Sequence, residues 1–110
     1  MLKKNVLRRN KDFSKIYNKG KSFATKYIVI FYKKNNLGYN RTAFLASKKI
    51  GKSVVRNKAR RRMKEVYNIY KDKIDEGYDL IFIARKNIID VNFNYLIKTT
   101  EYLLKKIKLF

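Results

Sequence analysis

Between residues 48 and 64 the sequence carries nine basic residues and no acid: Lys48, Lys49, Lys52, Arg56, Lys58, Arg60, Arg61, Arg62 and Lys64. Guanidinium forks present paired donors that match phosphate oxygens, so this density suits a polyanion such as nucleic acid. It has a local cost. Arg56, Arg60 and Lys64 stand at successive i+4 positions, where like charges destabilise an isolated helix by roughly a few tenths of a kcal/mol per pair. A solvated charged face is the ordinary reading of three or four lysines; unrelieved charge over this length favours nucleic-acid contact. The whole chain agrees, with 29 Lys and Arg against 8 Asp and Glu and a net charge of +21. Residues 1–64 hold 21 of those bases and one acid, Asp12. One strongly positive surface is the simplest reading.

The chemistry open to the chain on its own is narrow. With no Cys there is neither a disulfide framework nor a thiolate metal site, and with no His the usual zinc ligand and general base are missing. Asp72, Asp75, Glu76 and Asp79 cluster loosely about Gly77, and a two-metal nuclease would need gathered carboxylates. They read better as solvated charges bounding a turn. No catalytic residue and no metal ligand is assigned, and a stand-alone nuclease remains an alternative to an RNA-binding protein. No run approaches the roughly 18 apolar residues of a membrane span. The basic residues 1–9 precede no signal-peptide hydrophobic region, so a soluble, cytoplasmic protein without a membrane partner is expected.

These residues must be positioned by one domain, since 110 residues with 45% hydrophobic and 15% aromatic content build a single core. Residues 10–20 predict a short helix, with Asn10 as cap, Asp12 in the first turn and Gly20 as stop. Phe13, Ile16 and Tyr17 share one face of it. Residues 27–32 and 42–46 read as strands around a turn at Asn35 to Gly38, suggesting an antiparallel pair. From Ser53, read as a cap, to about Tyr70, the stripe Val55, Ala59, Met63, Val66 and Tyr70 predicts a long helix. Opposite that stripe lie Asn57, Arg60, Arg61 and Lys64, while Arg62 borders the core edge. Residues 78–84 form a further strand and 93–107 a final helix capped by Asn92. The long connection from 46 to 78 suits a parallel crossover. The fold class is α+β, a sandwich in the order helix, strand, strand, optional third strand, helix, strand, helix.

Ser47-Lys48-Lys49-Ile50-Gly51, followed by Val55-Arg56-Asn57-Lys58 and Arg60-Arg61, resembles the signature of the protein subunit of bacterial ribonuclease P. The Asn10 to Phe13 helix opening, Gly20 and Ile83-Ala84-Arg85-Lys86 extend the resemblance over nearly the whole chain. Two positions depart from the family pattern: Lys58 stands where arginine is usual, and Arg62 where an apolar residue is usual. The resemblance implies a two-layer fold similar to the second domain of ribosomal protein S5, with a left-handed βαβ crossover. Physics alone points the other way, since about 98% of such crossovers are right-handed.

It further implies binding of the ribonuclease P catalytic RNA and of the 5′ leader of precursor tRNA, assisting leader removal that depends on Mg2+ held mainly by the RNA. No protein partner is required. Lys48, Lys49, Lys52, Arg56, Asn57, Lys58, Arg60, Arg61 and Lys64 would face the catalytic RNA. Phe13, Tyr17 and Phe31, with Arg85 and Lys86, would line the leader cleft, where aromatic faces stack on bases. By spacing alone Phe13, Ile16 and Tyr17 are an ordinary core triad. A small ribosomal RNA-binding protein is the alternative that shares the charge and needs no aromatic groove.

Overall fold

The computed structural model describes residues 4–110; Met1 to Lys3, the start of the basic N-terminal stretch, lie outside the described residues. The elements are α1 (Asn10–Lys19), β1 (Lys21–Ala24), β2 (Ile28–Lys34), β3 (Arg41–Leu45), α2 (Ser53–Tyr70), β4 (Tyr78–Ala84), a 3-10 turn (Lys86–Ile89) and α3 (Phe93–Lys106). This is the expected α+β order, with the optional third strand present. Asn92 accepts a hydrogen bond from the Tyr95 amide at 3.2 Å and so caps α3. The other two caps differ from expectation: Asn10 and Ser53 are already helical, behind Arg9 and Lys52, neither of which makes a side-chain cap bond.

The sheet order is β1-β2-β4-β3, so the antiparallel pair expected between residues 27–32 and 42–46 does not form. Instead β4 runs between them, antiparallel to β2 and parallel to β3, and α2 makes the crossover. The reason lies in β4, where Leu80, Ile81 and Phe82 are all buried although they point alternately to opposite faces. A strand apolar on both faces is stable only at the centre of a covered sheet. β1 carries three exposed residues out of four and is a short edge, which explains why its sequence shows no strand pattern.

One face of the sheet, with Ile28, Ile30, Leu80, Phe82 and Ala84, packs on Ala59, Met63 and Val66 of α2 and on Leu96, Leu103 and Leu104 of α3. These two layers form the sandwich. The opposite face is covered in part by α1, whose Ile16 joins Leu7, Ala43 and Ile81 in a second cluster. The end of α1 is fitted closely to the sheet at Gly20: a Cβ there would lie 2.5 Å from the Ile16 carbonyl oxygen and 2.7 Å from that of Tyr32. Because both neighbours are backbone atoms, Gly20→Ala should destabilise the protein by about 1–3 kcal/mol through overpacking. Urea unfolding with unchanged m-value would register the loss; an unaltered midpoint would contradict the packing.

Asp79 corrects the reading of the four acids as solvated charges. Asp72, Asp75 and Glu76 are exposed, but Asp79 is only 6% exposed. Its carboxylate accepts from Arg41 Nε at 2.8 Å and Nη2 at 2.7 Å, and from Asn35 Nδ2 at 2.9 Å. Arg41 Nη1 also reaches Asp12 at 3.4 Å, which ties α1 to the starts of β3 and β4.

Candidate nucleic-acid interface

The loop before α2 is held by buried Ile50 and turns at Gly51, whose φ of 150° disfavours any side chain. A Cβ there would also sit 3.1 Å from the Val55 side chain. Lys48, Lys49 and Lys52 project from this loop, all exposed. The first turn of α2 holds no acid. Free amides and the positive end of the helix dipole therefore combine with Lys52 and Arg56, and an anion such as phosphate complements all of them.

Along α2, Asn57, Lys58, Arg61 and Lys64 are exposed and Arg56 and Arg60 half-buried. Arg56 Nη2 donates to Ser53 Oγ at 3.1 Å, and Arg60 Nη1 donates to Asn57 Oδ1 at 2.7 Å. These partners are neutral, so the guanidiniums are oriented without losing their charge. Among the described residues, no ion pair engages any of the predicted RNA-facing cations. Lys64 sits apart from the loop, lining with Tyr39, Tyr67 and Lys71 a cavity of about 540 Å³.

Arg62 turns the other way. Its Nη1 donates to the Ile89 carbonyl at 3.0 Å, its Nη2 donates to the Val91 carbonyl, and its guanidinium lies 5.7 Å from the Phe93 ring centroid. The stem was expected along the core edge; the head group is committed to the fold as well, clasping the segment before α3. Arg62→Ala should therefore cost about 2 kcal/mol, since charge-assisted hydrogen bonds contribute roughly 1.5–3 kcal/mol. It should leave the salt dependence of RNA binding unchanged. Arg60→Ala or Arg61→Ala should do the reverse, leaving the unfolding midpoint in place and flattening the salt slope by up to about one unit. Paired unfolding and salt-titration curves check both; a lowered slope in Arg62→Ala would overturn the division.

On the α1 face, three aromatic residues meet. The Phe13 and Tyr17 ring centroids are 6.4 Å apart, and the Tyr17 and Phe31 centroids are 4.9 Å apart with planes at 85°. Ile16, the residue before Tyr17, is 1% exposed, whereas Tyr17 is 42% exposed. The helix thus divides the triad between core and surface. Burial pushes the Tyr17 phenol above its ordinary pKa. Beyond Phe31, the half-buried Val29, Leu45 and Ile83 continue this face, and the register pairs Val29 with Ile83. Val29 is not among the candidate residues named from the sequence; the signal for it is alternation in β2, which sends Val29 and Phe31 to one face and Ile28 and Ile30 to the other.

The groove and the cations converge at one end of the sheet. β3 and β4 are parallel, so the loop after β3, with Lys48 and Lys49, and the residues after β4, Arg85 and Lys86, leave from the same end. Both Arg85 and Lys86 are exposed; Arg85 Nη1 donates to the Thr25 carbonyl at 3.2 Å. Val29, Leu45 and Ile83 lie nearest this end, and α1 covers the other half of the face around Arg41. Among the described residues no three carboxylates gather, and Asp79 is already saturated by Arg41 and Asn35.

The family described as Ribonuclease P matches residues 1–108. The chain is 41% identical over 105 residues to the ribonuclease P protein component of Alkaliphilus oremlandii, spanning 96% of this chain and 92% of that protein. It is 45% identical over 101 residues to that of Clostridioides difficile, spanning 91% and 89%. The solved structure of the Staphylococcus aureus RNase P protein superimposes with a TM-score of 0.86 at 33% identity, covering 98% of this chain and 99% of that one. The ribosomal alternative is not favoured.

Proposed function

We propose, since the chain belongs to the ribonuclease P protein family, that it grips two RNAs at once within a ribonucleoprotein that processes tRNA. Residues 1–110 act as a single RNA-binding domain. Lys48, Lys49, Lys52, Arg56, Asn57, Lys58, Arg60, Arg61 and Lys64 hold the catalytic RNA through its phosphates. Phe13, Tyr17 and Phe31 stack on bases of the 5′ leader of precursor tRNA, and Arg85 and Lys86 track its backbone. The observation that supports this reading is the cluster of Phe13, Tyr17 and Phe31 on a sheet face whose end also carries the cations of the α2 loop, unpaired among the described residues.

The protein supplies charge and contact area rather than reacting groups. Two RNA polyanions repel each other, and a protein of net charge +21 between them lowers that repulsion. Bond cleavage is assigned to the RNA subunit, with Mg2+ held mainly by RNA, because the chain has no His and its described acids form no cluster. The bacterial cytoplasm is the proposed place of this work on the strength of the family.

The test is cleavage of precursor tRNA at low Mg2+ by the catalytic RNA with and without the protein, beside the protein alone. Addition of protein should raise the rate strongly, and protein alone should release no leader. An unchanged rate, or cleavage by RNA-free protein, would overturn the reading.

A further inference from the structure

The end of the sheet opposite the α2 loop carries a second concentration of positive charge. Lys19, Lys21, Lys33, Lys34 and Lys108 line a cavity of about 330 Å³ between the end of α1, the end of β2 and the end of α3. No carboxylate lines it. Asp12 and Asp79 both bind Arg41, and Asp75, whose amide donates to the Leu109 carbonyl at 2.8 Å next to Lys108, makes no ion pair among the described residues. Among the described residues, none of these five lysines makes an ion pair. The fold holds them there: Lys108 adopts a left-handed φ of 62°, and Lys19 and Lys21 flank Gly20 where the chain closes onto Tyr32. Gathered like charges repel, so an arrangement this one-sided is complemented by an anion.

The cavity also offers two half-buried aromatic rings, Tyr32 and Tyr78, and the apolar side of Ile107. Lysines around tyrosine faces match an unpaired nucleotide, whose phosphate takes the charge and whose base takes the ring. Lys34 pairs with Tyr78 at this end of β2 and Ile28 with Ala84 at the other. Seven-residue strands separate the two ends by roughly 20 Å. We infer that this lysine pocket is a second, independent site for single-stranded RNA phosphate, so that the protein engages RNA at both ends of its sheet. The inference rests on RNA being the partner and adds a contact that neither the α2 surface nor the leader groove supplies.

The test uses the full chain and a labelled single-stranded pentaribonucleotide, with stoichiometry from calorimetry and affinity followed across salt. The variant is Lys21→Ala/Lys34→Ala/Lys108→Ala, whose thermal unfolding checks its fold, and the Lys→Arg triple at the same positions keeps the charge. The alanine triple should bind one fewer oligonucleotide per protein, and its slope of log affinity on log salt should fall by about two units for three lost phosphate contacts on a single strand. The arginine triple should behave as the parent. Equal stoichiometry and slope in the parent and the alanine triple would overturn this site while leaving RNA binding at α2 intact. Absence of any binding by the parent would overturn both this site and the RNA reading.

Discussion

Asp79→Ala should cost about 3 kcal/mol of folding free energy, the largest single loss expected outside the hydrophobic core. The carboxylate accepts three hydrogen bonds, two from Arg41 and one from Asn35. Its removal leaves the Arg41 guanidinium, whose side chain is 21% exposed, with only Asp12 at 3.4 Å. Breaking a buried pair from one side is more damaging than replacing both partners, because the remaining charge stays desolvated. The double variant Asp79→Leu/Arg41→Met should accordingly recover part of the loss. Urea unfolding of the two variants and the parent provides the measurement; equal destabilisation of single and double variants would contradict the account. The pair joins β3, β4 and α1 below the aromatic groove, so Asp79→Ala should weaken leader binding as well.

Tyr17→Leu in the reconstituted ribonucleoprotein should reduce the preference for leader-bearing over mature tRNA by about tenfold, or about 1.4 kcal/mol, within the roughly 1–3 kcal/mol of one stacked base. Leucine preserves apolar contact with Phe31 and removes the flat face, so folding is little affected. Tyr17→Phe should keep the preference, since a ring of either kind accepts a base. Binding of the two tRNAs by the parent and both variants decides it. Equal losses for mature and leader-bearing tRNA would indicate a general defect and sink the assignment of Tyr17 to the leader.

Much of the architecture was legible before any coordinates. The apolar stripe from Val55 to Tyr70 marked the body of α2, although Ser53, read as its cap, is already helical, and the largely apolar run 78–84 marked β4, because both patterns are set by neighbours in the chain. The partner of β4 was not legible in the same way. A turn at Asn35 to Gly38 made an adjacent hairpin the economical guess, and the doubly apolar β4 displaced it by requiring strands on both sides. Arg62 illustrates the same limit within one helix. Its position on the wheel borders the core, but its inward commitment depends on the Ile89 and Val91 carbonyls, which arrive from beyond β4.

Residue order alone determined the charge surplus, its concentration before residue 65, the helix and strand periodicities, and the family motif, since each is a property of composition or short spacing. Only the tertiary structure decided that Tyr17 and Phe31 meet, that Asp79 is buried against Arg41, and that five lysines from three separate segments share one pocket. Those contacts join residues far apart in the chain. They exist because burial of both faces of β4 fixes the sheet order, a choice made by the whole core.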